Sequence, residues 1–289
     1  MAFDLWNFPE FIRLPLAQWI DVLVLWVTVQ GEEFFGALSV VIRLMLRRLE
    51  DALIWLPWAA VVLGTGAAAW RTGGWRLALG AGLGLIFIGT LGLWDLAMRT
   101  LALVIVATLL AIVVAVPTGI AMAWNGTVNR LLLPVLDLMQ TMPSFVYLVP
   151  ALMLFGLGPV PAVIATFIYA VPPAIRLTNL GIRQVAPEVV EAARAFGTTS
   201  SQLLFTVQLP LALPTIMAGI NQTIMMGLAM VVIASMIGAG GLGAEVLNGI
   251  ARLEVGRGFA GGISIVVLAI VIDRISQGLV KTRPSGGAA

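Results

Sequence analysis

Apolar residues run along this chain in seven long stretches, at roughly 52–70, 76–94, 100–123, 131–156, 159–176, 211–237 and 259–280, with short polar breaks between them. A helix crossing a bilayer needs about 20 such residues, since each adds about 1.5 Å of rise toward a hydrocarbon core of about 30 Å. The pattern predicts an all-α, polytopic membrane bundle of about seven spans. Glycine and proline interrupt several stretches, which membranes tolerate where neighbouring helices satisfy the freed backbone groups. Ahead of the spans, residues 32–50 place Ser39, Arg43 and Arg47 on one helical stripe. Phe35, Leu38, Ile42, Met45, Leu46 and Leu49 fall on another, the signature of a helix lying in the membrane interface. Leu14 to Val29 is apolar but short and is interrupted by Asp21, so its insertion as an eighth span is the alternative.

Charge then orients the bundle. Basic residues concentrate in cytoplasmic loops of membrane proteins. Arg71, Arg76, Arg130, Arg176, Arg183, Arg194, Arg274, Lys281 and Arg283 fall in alternate loops, against Arg99, Arg252 and Arg257 in the opposite ones. The expectation is a cytoplasmic C-terminus and an extracytoplasmic N-terminal arm over 1–50, with the transmembrane domain over 51–289. Arg43, Arg47 and Arg48 run against this placement. No basic segment precedes an apolar run at the N-terminus, where Asp4 comes first, so no signal peptide is read there.

Composition narrows the chemistry. The 289 residues are 60% hydrophobic and 10% charged, with a net charge of +2. No nucleic-acid partner is expected, since that needs a dense phosphate-neutralising patch. There is no cysteine and no histidine, which removes disulfides, thiolate chemistry, His-based relays and His-ligated metals. No catalytic or metal-binding set is assigned.

Two glycine patterns need weighing. Gly238 to Gly243 reads G-x-G-x-x-G, yet it follows an apolar span and no acid stands near residue 263, so a glycine-rich bend is expected there. A phosphate-cradling loop requires glycine six residues before and immediately before a lysine. Ile275 and Val280 hold those places ahead of Lys281. Any ATP that drives this chain is expected on another polypeptide.

The longest polar interruption, 176–214, predicts a short helix–turn–helix on the cytoplasmic surface. Pro187 suits a first helical turn, and Glu188 and Glu191 follow near its positive end. Ala192, Ala193 and Ala195 give low relief, Gly197 permits a turn, and Thr198 to Ser201 offer caps for a second helix. Pro210 and Pro214 are expected to end the unit.

Glu191-Ala192-Ala193, Gly197 and then Leu209-Pro210 resemble the EAA loop of ATP-binding-cassette importer permeases, here at about 179–210. The stretches 136–150, 171–182 and 217–243 extend the resemblance to the glycine betaine/proline permeases of the quaternary-amine uptake family. The resemblance implies a type I, MetI-like permease fold in a bacterial cytoplasmic (inner) membrane. It implies ATPase subunits carrying ATP and Mg, an extracytoplasmic substrate-binding protein, a permease homodimer and surrounding lipid. Glu188, Glu191, Ala192, Ala193, Gly197, Leu209 and Pro210 are the implied joint to the ATPase, with Glu191 anchoring by a charge-assisted contact. The solutes implied are glycine betaine, proline or choline-like osmolytes. No cofactor is expected on this chain, and no enzyme activity.

For the path itself, polar groups inside spans face a cavity or another helix. Asp137, Gln140, Thr141 and Ser144 are spaced to share one helical side, with Phe145 and Tyr147 nearby. Asn221, Gln222 and Thr223 cluster in the sixth span, followed by Met225 and Met226. The expectation is that these two spans face each other across a pathway, the alternative role of each residue being an interhelical hydrogen bond. An autonomous ion-coupled transporter or channel is the competing reading. It would need internal coupling-ion sites and repeat symmetry, and would leave the EAA segment without a purpose.

Overall fold

The computed structural model describes residues 14–281, so Asp4, Thr282 and Arg283 lie outside the described residues. Thirteen α-helices occur there in order: α1 (Leu16–Gln30), α2 (Glu32–Trp55), α3 (Trp58–Gly73), α4 (Trp75–Thr90), α5 (Trp94–Trp124), α6 (Gly126–Thr141), α7 (Leu148–Phe155), α8 (Pro159–Arg183), α9 (Pro187–Ala195), α10 (Ser200–Gln202), α11 (Leu209–Ala234), α12 (Gly241–Ala251) and α13 (Val255–Lys281).

The centre of the bundle is α5, α8 and α11. Small residues recur along α8, and Val163, Ala165, Ala170 and Ala174 are buried within it. Small side chains let α11 approach α8 closely, and packing of this kind holds helices together where lipid gives no hydrophobic drive. A Cβ added to Gly219 of α11 would come within 2.9 Å of the Leu177 Cβ and 3.1 Å of the Ala174 Cα. Pro172 and Pro173 sit inside α8 without ending it, as buried neighbours allow. The α3–α4 hairpin and α13 pack beside α5, sharing a small core of Ala69, Ala81 and Val271.

Among the described residues four helices are long and apolar enough to cross a membrane: Trp94–Trp124, Pro159–Arg183, Ser200–Ile237 and Val255–Gly278. Two bent pairs raise the total to as many as six. The expected count of seven is not reproduced on this measure, for two local reasons. The stretch 52–70 merges two helices, because Leu56 is extended (ψ 132) before Pro57 and α3 starts afresh at Trp58. That leaves α3 and α4 at 16 residues each, about 24 Å by helical rise. The stretch 131–156 is two helices bent by 111°, because Met142 is extended ahead of Pro143.

The boundary expected at 50/51 falls inside α2, which continues to Trp55. Its Ile42 and Leu46 are buried in the main core. Phe35 meets Phe155 edge to face at 5.6 Å.

The two ends of the bundle are distinct. At one, Trp124 Nε1 donates to Gln208 Oε1 at 3.2 Å, Arg183 donates to the Met122 carbonyl, and Gly278 packs against Thr72. At the other, the Gly158 N–H donates to the Ile237 carbonyl, and Leu242 N–H donates to Thr100 Oγ1 at 2.8 Å. The glycine-rich segment is a bend at this second end: Gly238, Gly240 and Gly241 have φ of 95°, 74° and 67°.

Candidate coupling hairpin and translocation face

At the first end, α9 projects from the bundle and buries none of its residues. Pro187 occupies its first turn, where the missing N–H costs nothing. Gly197 comes next at φ 81°, a left-handed conformation that only glycine adopts without strain, and the chain reverses there. Thr199 then caps α10 in a reciprocal box. Its side chain accepts from the Gln202 N–H, and Gln202 Oε1 accepts from the Thr199 N–H at 2.9 Å.

The expected second short helix is instead the first turn of a 38-residue rod, Ser200–Ile237. Pro210 and Pro214 do not end it. The turn Leu203–Gln208 widens to a π-helix, and Leu209 N–H reaches back to the Leu204 carbonyl. A proline cannot donate and crowds the carbonyl four residues earlier, and the wide turn ahead of Pro210 relieves both problems.

The joint residues divide between faces. Pro187, Val190, Glu191 and Arg194 border a hollow of about 260 Å³ that also touches Trp124, Arg183 and Gln208. Glu191 is therefore turned toward the bundle side of α9. Glu188, Val189 and Ala192 are exposed, Ala193 is half-buried, and Phe196 beyond the helix end is 90% exposed. Sequence reasoning does not single out Phe196, whose only signal is an aromatic just past an alanine-rich turn. Leu209 packs against the cluster of Ile182, Leu204, Ala212 and Ile216, so it holds the hairpin from inside, while Pro210 is exposed.

The path residues also separate. Gln140 and Thr141 are, respectively, exposed or nearly so at the end of α6, but Ser144 lies past the Pro143 break in a 3₁₀ turn, so the four polar residues do not share one helical side. Phe145 is exposed. Tyr147 is buried, donates to the Met139 carbonyl, and meets Tyr169 edge to face at 5.7 Å. The cluster in α11 points three ways, as consecutive helical residues must, about 100° apart. Asn221 donates to Asp273 Oδ1 of α13 at 2.8 Å and accepts from Ser276. Thr223 donates to the Ala170 carbonyl of α8 at 2.8 Å. Gln222 alone joins the exposed stripe Leu211, Pro214, Ala218, Gln222, Met225, Ala229. Met226 is half-buried beside it. Asn221 thus fastens α11 to α13. The fourth stretch meets α11 through its turn at Ser144–Tyr147, whereas α6 lies mainly against α5 and α8.

Asp137 of α6 is ion-paired with Arg176 of α8. Sequence spacing could not pair two residues 39 positions apart.

Residues 111–283, from the middle of α5 onward, match the family described as binding-protein-dependent transport system inner membrane component. The chain belongs to that family. It is 46% identical over 95% of its length to the glycine betaine/proline betaine transport system permease protein ProW of Escherichia coli, covering 77% of that protein. It is also 46% identical to the glycine betaine transport system permease protein OpuAB of Bacillus subtilis, over 96% of this chain and 98% of the other. The glycine betaine/carnitine transport permease protein GbuB of Listeria monocytogenes is 47% identical over 96% and 99% of the two chains. Inward-facing structures of the MetNI methionine ABC transporter share the fold: in the native crystal form the TM-score is 0.60 at 22% identity, over 66% of this chain and 96% of that one. The all-helical, MetI-like permease fold and a transport rather than enzymatic role are thereby established.

Proposed function

We propose that this chain is the membrane subunit through which an ATP-driven importer moves betaine-type osmolytes into a bacterial cell. The observation that carries the reading is 46% identity along nearly the whole chain to permeases named for glycine betaine and proline betaine. Glycine betaine and proline betaine lead the solute class, and proline, choline and carnitine complete the panel to be tested. ATP and Mg are held by partner ATPase subunits, and an extracytoplasmic binding protein delivers solute. The end bearing α9 is cytoplasmic, with the C-terminus, and the glycine bend and N-terminal arm are outside. Phe35 against Phe155 supports an α2 that lies along the outer interface.

In this reading, α9 seats in a groove of the ATPase through Glu188, Val189, Ala192 and Phe196, with Ala193 and Gly197 setting the approach. Glu191 anchors from the hollow side. The exposed α11 stripe, with Gln222 and Met225, faces a second copy of the chain across the path, as does the face bearing Gln140, Thr141 and Phe145. ATP binding and hydrolysis bias the bundle between two states, and the rod from Ser200 to Ile237 carries the motion from the hairpin into the membrane.

The test is reconstitution in vesicles with the cognate ATPase and binding protein, and then uptake of betaines, proline, choline and carnitine. ATP-dependent uptake of betaines is expected. ATP-independent uptake by this chain alone would establish the autonomous transporter instead.

A further inference from the structure

Within the inner half of the bundle, Arg176 and Asp137 leave more bonding capacity open than an ion pair built only for packing would. Arg176 is 29% exposed at the side chain and Asp137 64%. So exposed a pair contributes little to stability, while a charge on a spanning helix is costly and marks a functional position by default. The Arg176 Nε is buried and has no hydrogen-bond partner. One carboxylate oxygen of Asp137 accepts from Arg176.

A tyrosine pair lies about two helical turns away. Tyr169 precedes Arg176 by seven residues, so the two lie on the same face of α8, about 10 Å apart along the axis. Tyr169 meets Tyr147 edge to face. Arg183, a further seven residues on, shares that face but is already committed to Asn179 Oδ1 and the Met122 carbonyl, at 2.9 and 2.7 Å. Along α8, Arg176 lies between the close approaches of Gly219 to Ala174 and of Gly181 to Ala212. That puts it at the height of Ala218 on the exposed stripe of α11.

We infer that the Asp137–Arg176 pair is a transient, zwitterion-selective site at the inner end of the path. The inference rests on the proposed importer reading and names how this chain handles the solute. A betaine carries a carboxylate and a quaternary ammonium. Its carboxylate takes the guanidinium fork of Arg176, including the unpartnered Nε, as arginine's planar donors favour. Its ammonium takes Asp137. Both protein charges exchange one partner for another and none is stranded. A solute that is only a cation satisfies Asp137 but leaves Arg176, whose Nε is buried, without a counter-charge. The site therefore admits zwitterions over cations and releases them by re-forming its own pair.

The test uses the whole transporter in vesicles, with betaine uptake and ATP hydrolysis measured together. Failure of the unmodified transporter to take up betaine with ATP would remove the importer reading itself, before the site is reached. Given that uptake, Arg176→Gln, Asp137→Asn and the double variant are each expected to lower betaine moved per ATP by up to about fivefold, the range that a partly exposed ion pair supports. Arg176→Lys is expected to retain charge and recover part of the ratio. Should the glutamine variants not assemble with the ATPase, Arg176→Lys carries the test through a reduced ratio of uptake to hydrolysis. Recovery by the double variant, whose amides can still hold α6 on α8, would overturn the inference. So would a parallel fall of uptake and hydrolysis, or an unchanged ratio in the lysine variant.

Discussion

The two ends of this bundle each turn the chain through a helical hairpin, and the two hairpins are built on opposite principles. At the glycine-rich end, the bend before α12 is closed from inside. Leu242 N–H is held by Thr100, Ser235 donates to the Val231 carbonyl, and Arg257 pairs with Glu245 and Glu254. At the α9 end the turn is satisfied locally by Gly197 and the Thr199 box, yet α9 buries nothing and presents Val189, Ala192 and Phe196 outward. A segment that meets its own backbone needs but leaves apolar side chains open is complete as a helix and incomplete as a surface. The first hairpin closes on the subunit itself, and the second leaves its face open.

The largest effect is expected at the glycine-rich bend. A side chain at Gly241 meets both a left-handed backbone, φ 67°, and the Thr100 Oγ1, 2.4 Å from an added Cβ. Gly241→Val is expected to cost upward of about 3 kcal/mol, strain and clash together. Thermal unfolding of the purified chain in detergent reads it, and a midpoint within a few degrees of the unmodified chain would contradict the closed-bend account. At the other hairpin, Gly197→Val carries the left-handed strain alone, about 1–2 kcal/mol, because nothing lies within 4 Å of an added Cβ. There the expected loss is of ATPase copurification rather than of the fold, and the two assays side by side separate docking from stability.

Smaller still is Thr199→Ala, which removes one half of a capping box and about 1 kcal/mol. Solute-stimulated hydrolysis should fall modestly while the complex survives. An effect as large as that of Gly197→Val would mean that α10, not the left-handed turn, sets the hairpin angle.

Much of this organisation is legible in the sequence because its causes are local. Pro187 starts α9, Gly197 reverses the chain, Thr199 caps α10, and the glycines at 238–241 make a bend rather than a nucleotide loop. The apolar runs at 159–176, 211–237 and 259–280 each lie within a long helix of the bundle. The features that escape depend on direction and distance. Hydropathy cannot tell one apolar helix from two joined at an extended residue, so 52–70 and 131–156 each look like one span. Asn221, Gln222 and Thr223 form one polar cluster in sequence but turn to α13, to the open stripe and to α8. The π turn at 203–208 answers the geometry of Pro210, which no propensity announces. Glu191 carries the family resemblance, yet the face it shares with Arg194 borders the bundle, and the outward face belongs to Ala192 and Phe196.

The central claim is that the open face of α9 is where the motor engages. Ala192→Trp places a large ring on that face without altering any buried contact of the bundle. In the reconstituted complex with ATPase and binding protein, the measurement is solute-stimulated ATP hydrolysis. The account predicts a loss of about tenfold or more, since overfilling a close-packed docking contact costs about 1–3 kcal/mol. Undiminished stimulation in the Ala192→Trp complex would contradict it.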